Sequence, residues 1–345
     1  MNHKEKKSYR QLNIDSGNIR SVSVVMCTYN GEKYLSYQLD SILSQTYPIF
    51  ELIVQDDNST DGTKKIINDY AGRYPLIKPY FNEENLGFKK NFSSAVSKAT
   101  GDFIALSDQD DIWLGNHIEV LVNLIGNKPL ACANSLYIDS NGHDLNCTLN
   151  PKKQMNDVYK EETDFAYRIF YNSSIFPGHN MILTASFAKS SLPIPDNIEF
   201  HDIWFSALAC CQGGINYSSD VICLYRRHQN TVTSFIKHAV LKELLMTHHY
   251  DFGKNKITLY QELVKRTDLS NNALNFLDEF RQYAIRCPHF KYKLWCWKWR
   301  FSHYKKIYFT TNYRYFLLRS IQYLLTPTVT KVSDVSKLTE VIKHN

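Results

Sequence analysis

The chain has 345 residues, 43% of them apolar and 21% charged, which allows one large domain plus a smaller one and excludes bulk disorder. A net charge of +6 is too small to call for nucleic acid by itself. Eight scattered cysteines (Cys27, Cys132, Cys147, Cys210, Cys211, Cys223, Cys287 and Cys296) form no C-x-x-C pair, so they read as reduced thiols rather than a disulfide framework or a zinc site.

Residues 1–20 are a polar tail without the apolar segment of a signal peptide. No run of about 18 apolar residues occurs, so no spanning helix is expected and the predicted location is the cytoplasm. From Val22, "SVSVVMCTYN" has the continuous apolar character of a strand buried on both faces. "EKYLSYQLDSILSQTYP" places Leu35, Leu39, Ile42 and Leu43 on one helical face and ends before Pro48. "FELIVQDDNSTDGT" gives a strand, a polar turn and a helix start at Thr60 or Asp61, either of which suits a cap. The helix "TKKIINDYAGRY", a strand near "IKPYFN" and the helix "NLGFKKNFSSAVSKATG", with Gly101 as its stop, lead to a fourth strand, "DFIALSD".

This alternation predicts an α/β fold with a mostly parallel central sheet flanked by helices. Ligands on such sheets bind beyond the carboxyl ends of the strands. Three of those ends are polar: Thr28-Tyr29-Asn30, Asp56-Asp57-Asn58, and the acidic segment at Asp108, Asp110 and Asp111. Further on, "ACANSLYID" reads as a strand and Asn141-Gly142 as a turn, whereas 146–172 gives no clear pattern. "FPGHNMILTASFA" and "FHDIWFSALACCQGG" predict a strand and then a helix with His201 and Asp202 in its first turn. "INYSSDVICLYRRHQNTVT" predicts a late strand running into a basic loop, and helices take over beyond about Ser234.

The crowded carboxylates of "SDQDD" repel one another unless a cation sits among them. Mg²⁺ and Mn²⁺ prefer oxygen ligands and accept one or two carboxylates together with substrate phosphate. Asp108 and Asp110, two apart in an extended segment, project to one side. Asp111 points elsewhere, to support that shell or to cap the next helix.

The segments "VSVVMCTYNGEKYLSYQLDSILSQTYPIFELIVQDDNSTDGT" and "GDFIALSDQDDIW" closely resemble the family 2 glycosyltransferases and their GT-A nucleotide-sugar-binding fold. The resemblance covers residues 21–125 most closely and continues to about residue 232. The spelling "LSDQDDIW" is most similar to rhamnosyltransferases of surface-polysaccharide, capsule and cell-envelope assembly.

The resemblance implies that Tyr29 and Asp57 hold the nucleobase of a UDP- or dTDP-sugar, with Thr28, Asn30 and Asp56 beside them. A ring stacks on a pyrimidine, and a carboxylate accepts from its N–H. It implies Mn²⁺ or Mg²⁺ as cofactor, held by Asp110 and Asp108, the latter shared with the ribose. It implies an inverting displacement in which an acid at a helix start takes the acceptor's proton. Asp202 in "FHDIWF" fits that acid, and Glu199 is the alternative. From the residues alone Asp202 also reads as a first-turn acid facing the helix dipole.

In "LYRRHQNT", the resemblance brings Arg227 to the diphosphate and His228 to the metal; Arg226 and Arg227 equally read as a solvated basic loop. His179 in "PGHNM" faces the sugar or is a satisfied structural histidine, and Trp204 lines the acceptor pocket or packs in the core.

The domains expected are thus the 1–20 tail, a GT-A catalytic domain over 21–234 and a helical basic and aromatic region over 235–345. Residues 280–333 contain no Asp or Glu, and three of the five tryptophans fall there among lysines and arginines. Such composition suits peripheral contact with the inner face of a membrane, where the lipid-linked saccharide acceptor that the resemblance implies would reside. The competing reading packs these aromatics into a helical domain or a homodimer interface. No nucleic-acid-binding motif is present. Two other functions fit the acids less well: a nucleotidyltransferase, for which "CTYNGEKY" is a poor phosphate loop, and a silent nucleotide-sugar-binding scaffold, against which both Asp110 and Asp202 speak.

Overall fold

The structure, a computed structural model, describes residues 20–150, 163–171, 176–228, 254–286, 292–303 and 307. β1 (Val22–Thr28) is apolar throughout because helices cover both of its faces: Val22, Val24 and Met26 pack on one side and Val25 on the other. β2 (Glu51–Asp56), β3 (Ile77–Phe81) and β4 (Phe103–Ser107) lie parallel to it in the order β3-β2-β1-β4. Between them run α1 (Leu35–Leu43), α2 (Thr63–Arg73) and α3 (Phe88–Lys98). α1 buries Leu35, Leu39 and Ile42 as their spacing predicts, and Leu43 is half-buried at its edge.

Two helix ends differ from expectation. α2 starts at Thr63, because Asp61 takes the Thr63 N–H at 3.0 Å while the Thr60 N–H is committed to Asn30 Oδ1 at 2.9 Å. α3 stops at Lys98, where Ala99 turns extended, three residues before Gly101. Gly101 serves another purpose: a Cβ there would lie 2.9 Å from Ser21 O and Ser23 N, so only glycine lets this turn press on β1.

Past β4 come β5 (Ile112–Trp113), α4 (His117–Ile125), β6 (Leu130–Ile138), β7 (Asp144–Thr148) and α5 (Asp164–Tyr171). A 3₁₀ turn (Gly178–Asn180), β8 (Met181–Thr184), α6 (Ala185–Ser190), α7 (His201–Cys211) and β9 (Ile215–Arg226) complete the sheet. Its order is β3-β2-β1-β4-β8-β6-β9-β5, with β7 paired to β6. β8 is antiparallel to both β4 and β6, and β5 is antiparallel to β9, so the sheet is mixed although mostly parallel. The predicted Asn141-Gly142 turn is the β6–β7 corner, with Gly142 at φ 91°.

α1, α2 and α4 cover one face, while α3, α5, α6 and α7 cover the other. α8 (Lys254–Leu263), α9 (Asn271–Arg286) and α10 (Lys293–Ser302) extend this second core: Tyr260, Phe276 and Phe280 join Phe170 of α5 and Leu208 of α7. The expected boundary at residue 234 lies outside the described residues. Among the described residues no helix is long and apolar enough to cross a membrane.

Candidate active site

The carboxyl ends of β1 and β2 are tied together before any ligand is considered. Thr28 Oγ1 donates to Asp56 Oδ2 at 2.9 Å, and Asp56 also takes the N–H and hydroxyl of Ser59. Asn30 and Asn58 turn the chain there at φ 48° and 62°, left-handed values that asparagine tolerates. Thr28, Asp56 and Asn30 thus have local structural duties. Tyr29 is different: its ring is 48% exposed at the strand tip. Asp57 is buried, and its carboxylate accepts from Asn82 Nδ2 and the Leu86 N–H at 2.8 Å and from the Gly87 N–H at 2.9 Å. A carboxylate offers about four acceptor positions, so one is left for a base N–H.

The acidic loop docks onto this corner through a residue that sequence reasoning passed over. Gln109, between the two predicted ligands, accepts from the Tyr29 N–H at 2.9 Å and donates to Tyr29 O at 3.0 Å. A Cβ on Gly31 would sit 2.2 Å from the end of the Gln109 side chain, so any larger residue there would displace that side chain from its bonds to Tyr29. Asp110 Oδ2 lies 2.7 Å from His228 Nε2, which joins two residues predicted for the metal. Burial alone would raise the Asp108 carboxyl, but His179 beside it holds it below the usual range. Asp111 is fully buried and accepts the Arg226 N–H at 2.9 Å. Burial and then the charges of Asp110 and Asp108 push its carboxyl well above the usual range. It supports the loop from behind rather than capping α4, whose N-cap is Asn116.

Arg226 does not belong to a solvated basic loop. It is 3% exposed; its Nε donates to Asp110 O at 2.8 Å and its guanidinium covers the Tyr34 ring at 4.6 Å. Tyr34 in turn flanks His228, the ring centroids 5.0 Å apart. Arg227 lies over the rings of Tyr137 and Tyr225, each at 5.1 Å, rather than in open solvent.

The first turn of α7 presents Asp202. Burial pushes its carboxyl up to about 7 against the N–H groups of Ile203 and Gly178, and the charge of Asp108 adds to the rise. The alternative, Glu199, is exposed and holds Asn255 of α8 at 2.5 Å. His201 stacks on Phe92 at 4.0 Å, and burial lowers it to about 4 although Asp108 pulls the other way, so it is neutral at neutral pH. A side chain on Gly178 would meet His201 Nε2 at 2.4 Å, which explains the glycine of "PGHN". Trp204 takes the core alternative: it is 2% exposed and its Nε1 donates to Ser191 O.

Residues 23–190 match the family model described as Glycosyl transferase family 2. Residues 23–190 are a glycosyl transferase family 2 domain. Its sheet is the GT-A fold of TarS from S. aureus, whose 1–349 complex with UDP-GlcNAc superposes with a TM-score of 0.54 at 17% identity, covering 94% of this chain and 91% of that one. The mannosyltransferase PcManGT of Pyrobaculum calidifontis, solved with GDP-Man and Mn²⁺, gives 0.51 at 16% identity over 94% and 86% of the two chains. At such identities the likeness is one of fold.

In sequence, the Escherichia coli UDP-Glc:alpha-D-GlcNAc-diphosphoundecaprenol beta-1,3-glucosyltransferase WfgD is 36% identical over 104 residues, 30% of this chain and 40% of WfgD. The first curated relatives are matched over 60% of their length.

This family 2 fold therefore gathers Tyr29, Asp57, Asp108, Asp110, Asp202 and His228 at one end of the sheet. The Cys27 thiol records that convergence: burial raises it, and the charges of both Asp108 and Asp57 raise it further. Asp108 and Asp110 are both partly exposed, the first facing His179 and the second in contact with His228, and their carboxylates are donors of the kind Mn²⁺ or Mg²⁺ takes. A second set, Asp111, His179 and Cys223, has its ligand atoms within 4.8 Å, but it is wholly buried and includes a thiol, which suits neither ion. Gln109 and Tyr34 escaped the sequence reading. The available signal was adjacency, since each lies within or next to a quoted motif.

Proposed function

We propose that this chain is an inverting, metal-dependent hexosyltransferase, moving a sugar from a UDP- or dTDP-linked donor to a hydroxyl of a growing, lipid-linked polysaccharide. Rhamnose is among the sugars proposed. The observation that carries the reading is Asp202, a carboxyl pushed up to about 7 at a helix start, electrostatically coupled to the donor-side Asp108. The acceptor class is supported by the name of WfgD, and the donor class by the UDP-GlcNAc and GDP-Man complexes of the neighbours.

Tyr29 stacks on the nucleobase and Asp57 accepts its N–H. Asp108, Asp110 and His228 would hold the ion, which when bound would supply positive charge to offset that building on the leaving group. Ionised Asp202 takes the acceptor hydroxyl's proton as that oxygen bonds to the anomeric carbon. The bond from this carbon to the diphosphate oxygen breaks on the opposite side, and its electron pair leaves with the nucleoside diphosphate. Inversion follows from that single in-line step.

Asp202→Asn keeps the side chain's shape and removes the base. Transfer should fall roughly 10²–10⁴-fold, while Mn²⁺-dependent binding of the nucleoside diphosphate stays within about threefold, because Asp202 makes no contact with it in this reading. Full transfer activity in that variant would remove Asp202 from the mechanism. A panel of UDP-, dTDP- and GDP-sugars, assayed for donor hydrolysis, would identify the donor.

A further inference from the structure

Behind the acidic loop a column of buried side chains has no place in the mechanism above. His179 is 1% exposed, and Ser135 and Asn180 are fully buried. Asn180 Nδ2 donates to Ser135 Oγ at 2.6 Å and to Ala133 O at 3.1 Å. Ser135 Oγ lies 2.8 Å from His179 Nε2. With the Asn180 N–H already arriving at Ser135 Oγ, the hydroxyl proton is free to go to Nε2, which is then the acceptor. The ring proton is thereby fixed on Nδ1. That nitrogen faces carboxylates, 3.6 Å from Asp108 Oδ2 and 3.4 Å from Asp111 Oδ2. The Tyr225 ring, 4.3 Å away, closes the side of the imidazole.

We propose that His179 is a positioning residue for the donor: anchored by Ser135 and Asn180, it sets through Nδ1–H the direction in which Asp108 presents its oxygens to the metal-bound diphosphate. This rests on the donor-site reading above and adds to it a named outer partner. Partners that orient a ligating carboxylate contribute to metal affinity without touching the metal.

The test is titration calorimetry of the full chain with Mn²⁺ plus UDP or dTDP, on wild type, His179→Leu, Ser135→Ala and the double variant. Thermal unfolding of each variant serves as a fold control. His179→Leu should weaken metal–nucleotide binding about 10–100-fold, Ser135→Ala should weaken it less, and His179→Gln, which keeps a donor, should recover part of the loss. Because both act through one column, Ser135→Ala should cost little extra in the His179→Leu background. Wild-type affinity in His179→Leu, or losses that add fully, would overturn the inference alone. Failure of the unsubstituted chain to bind either nucleotide with Mn²⁺ would overturn the donor-site reading, and this inference with it.

Discussion

At the residue scale, environment decides between two acids three positions apart. Glu199 and Asp202 are equal candidates by residue type, yet one lies in solvent and the other is desolvated beside a second carboxylate. Two pH effects follow. Activity needs the ionised base, so kcat/KM should rise with pH through about 7 and level off above it, and Asp202→Asn should lose that limb. Stability runs the other way. The folded-state value lies above the unfolded 3.8, so the contribution of Asp202 is complete below about 4 and is lost as pH rises through about 7. Chemical denaturation at pH 8 and pH 5 should show Asp202→Asn gaining on wild type at the higher pH, by at most about 3 kcal/mol. An equal difference at both values would contradict the assignment. For this site the sequence named Asp202, Asp110 and His228, and the structure puts Asp202 in the first turn of α7 and Asp110 against His228. The partners were not legible: hydrogen bonds such as Gln109 to Tyr29 span 80 positions and have no local periodicity.

At the element scale, period and length were readable where helices alternate with strands, because burial on one or two faces writes itself into spacing. The reading failed at ends and beyond β4. α2 begins where Asn30 and Asp61 place their oxygens, which are tertiary facts. Gly101 looked like a helix stop and is instead a close-contact residue against β1. Gly101→Ala should therefore cost roughly 1–3 kcal/mol, because the atoms it meets are backbone and cannot move aside. Gly72 lies inside α2 with open space around it, so Gly72→Ala should be neutral or stabilising by up to about 1 kcal/mol. Denaturant midpoints of the two variants compare them directly; a similar loss in both would refute the contact argument. The antiparallel insertion of β8 between β4 and β6 was not legible, since buried strands of either direction carry the same apolar run.

At the scale of the whole molecule, the aromatic C-terminal region divides by contact. Trp299 packs on Tyr171 at 4.6 Å and Tyr283 at 4.7 Å and donates to Glu279, whereas Leu294 and Trp295 on α10 are 58% and 38% exposed. Trp299→Ala should lose about 3–5 kcal/mol, and Trp295→Ala should cost little stability. If the proposed lipid contact is right, Trp295→Ala should instead reduce co-sedimentation with anionic liposomes; binding indifferent to lipid charge would argue against it. The central proposal is that aspartates beyond β4 grip a cation that grips the donor's diphosphate, with Asp202 as base. Crystals soaked with Mn²⁺ and a nucleoside diphosphate test it most directly. Anomalous density for manganese against Asp110 and Asp108, with the base on Tyr29 and Asp57, is the result predicted. Manganese and nucleotide bound elsewhere, or not at all, would contradict it.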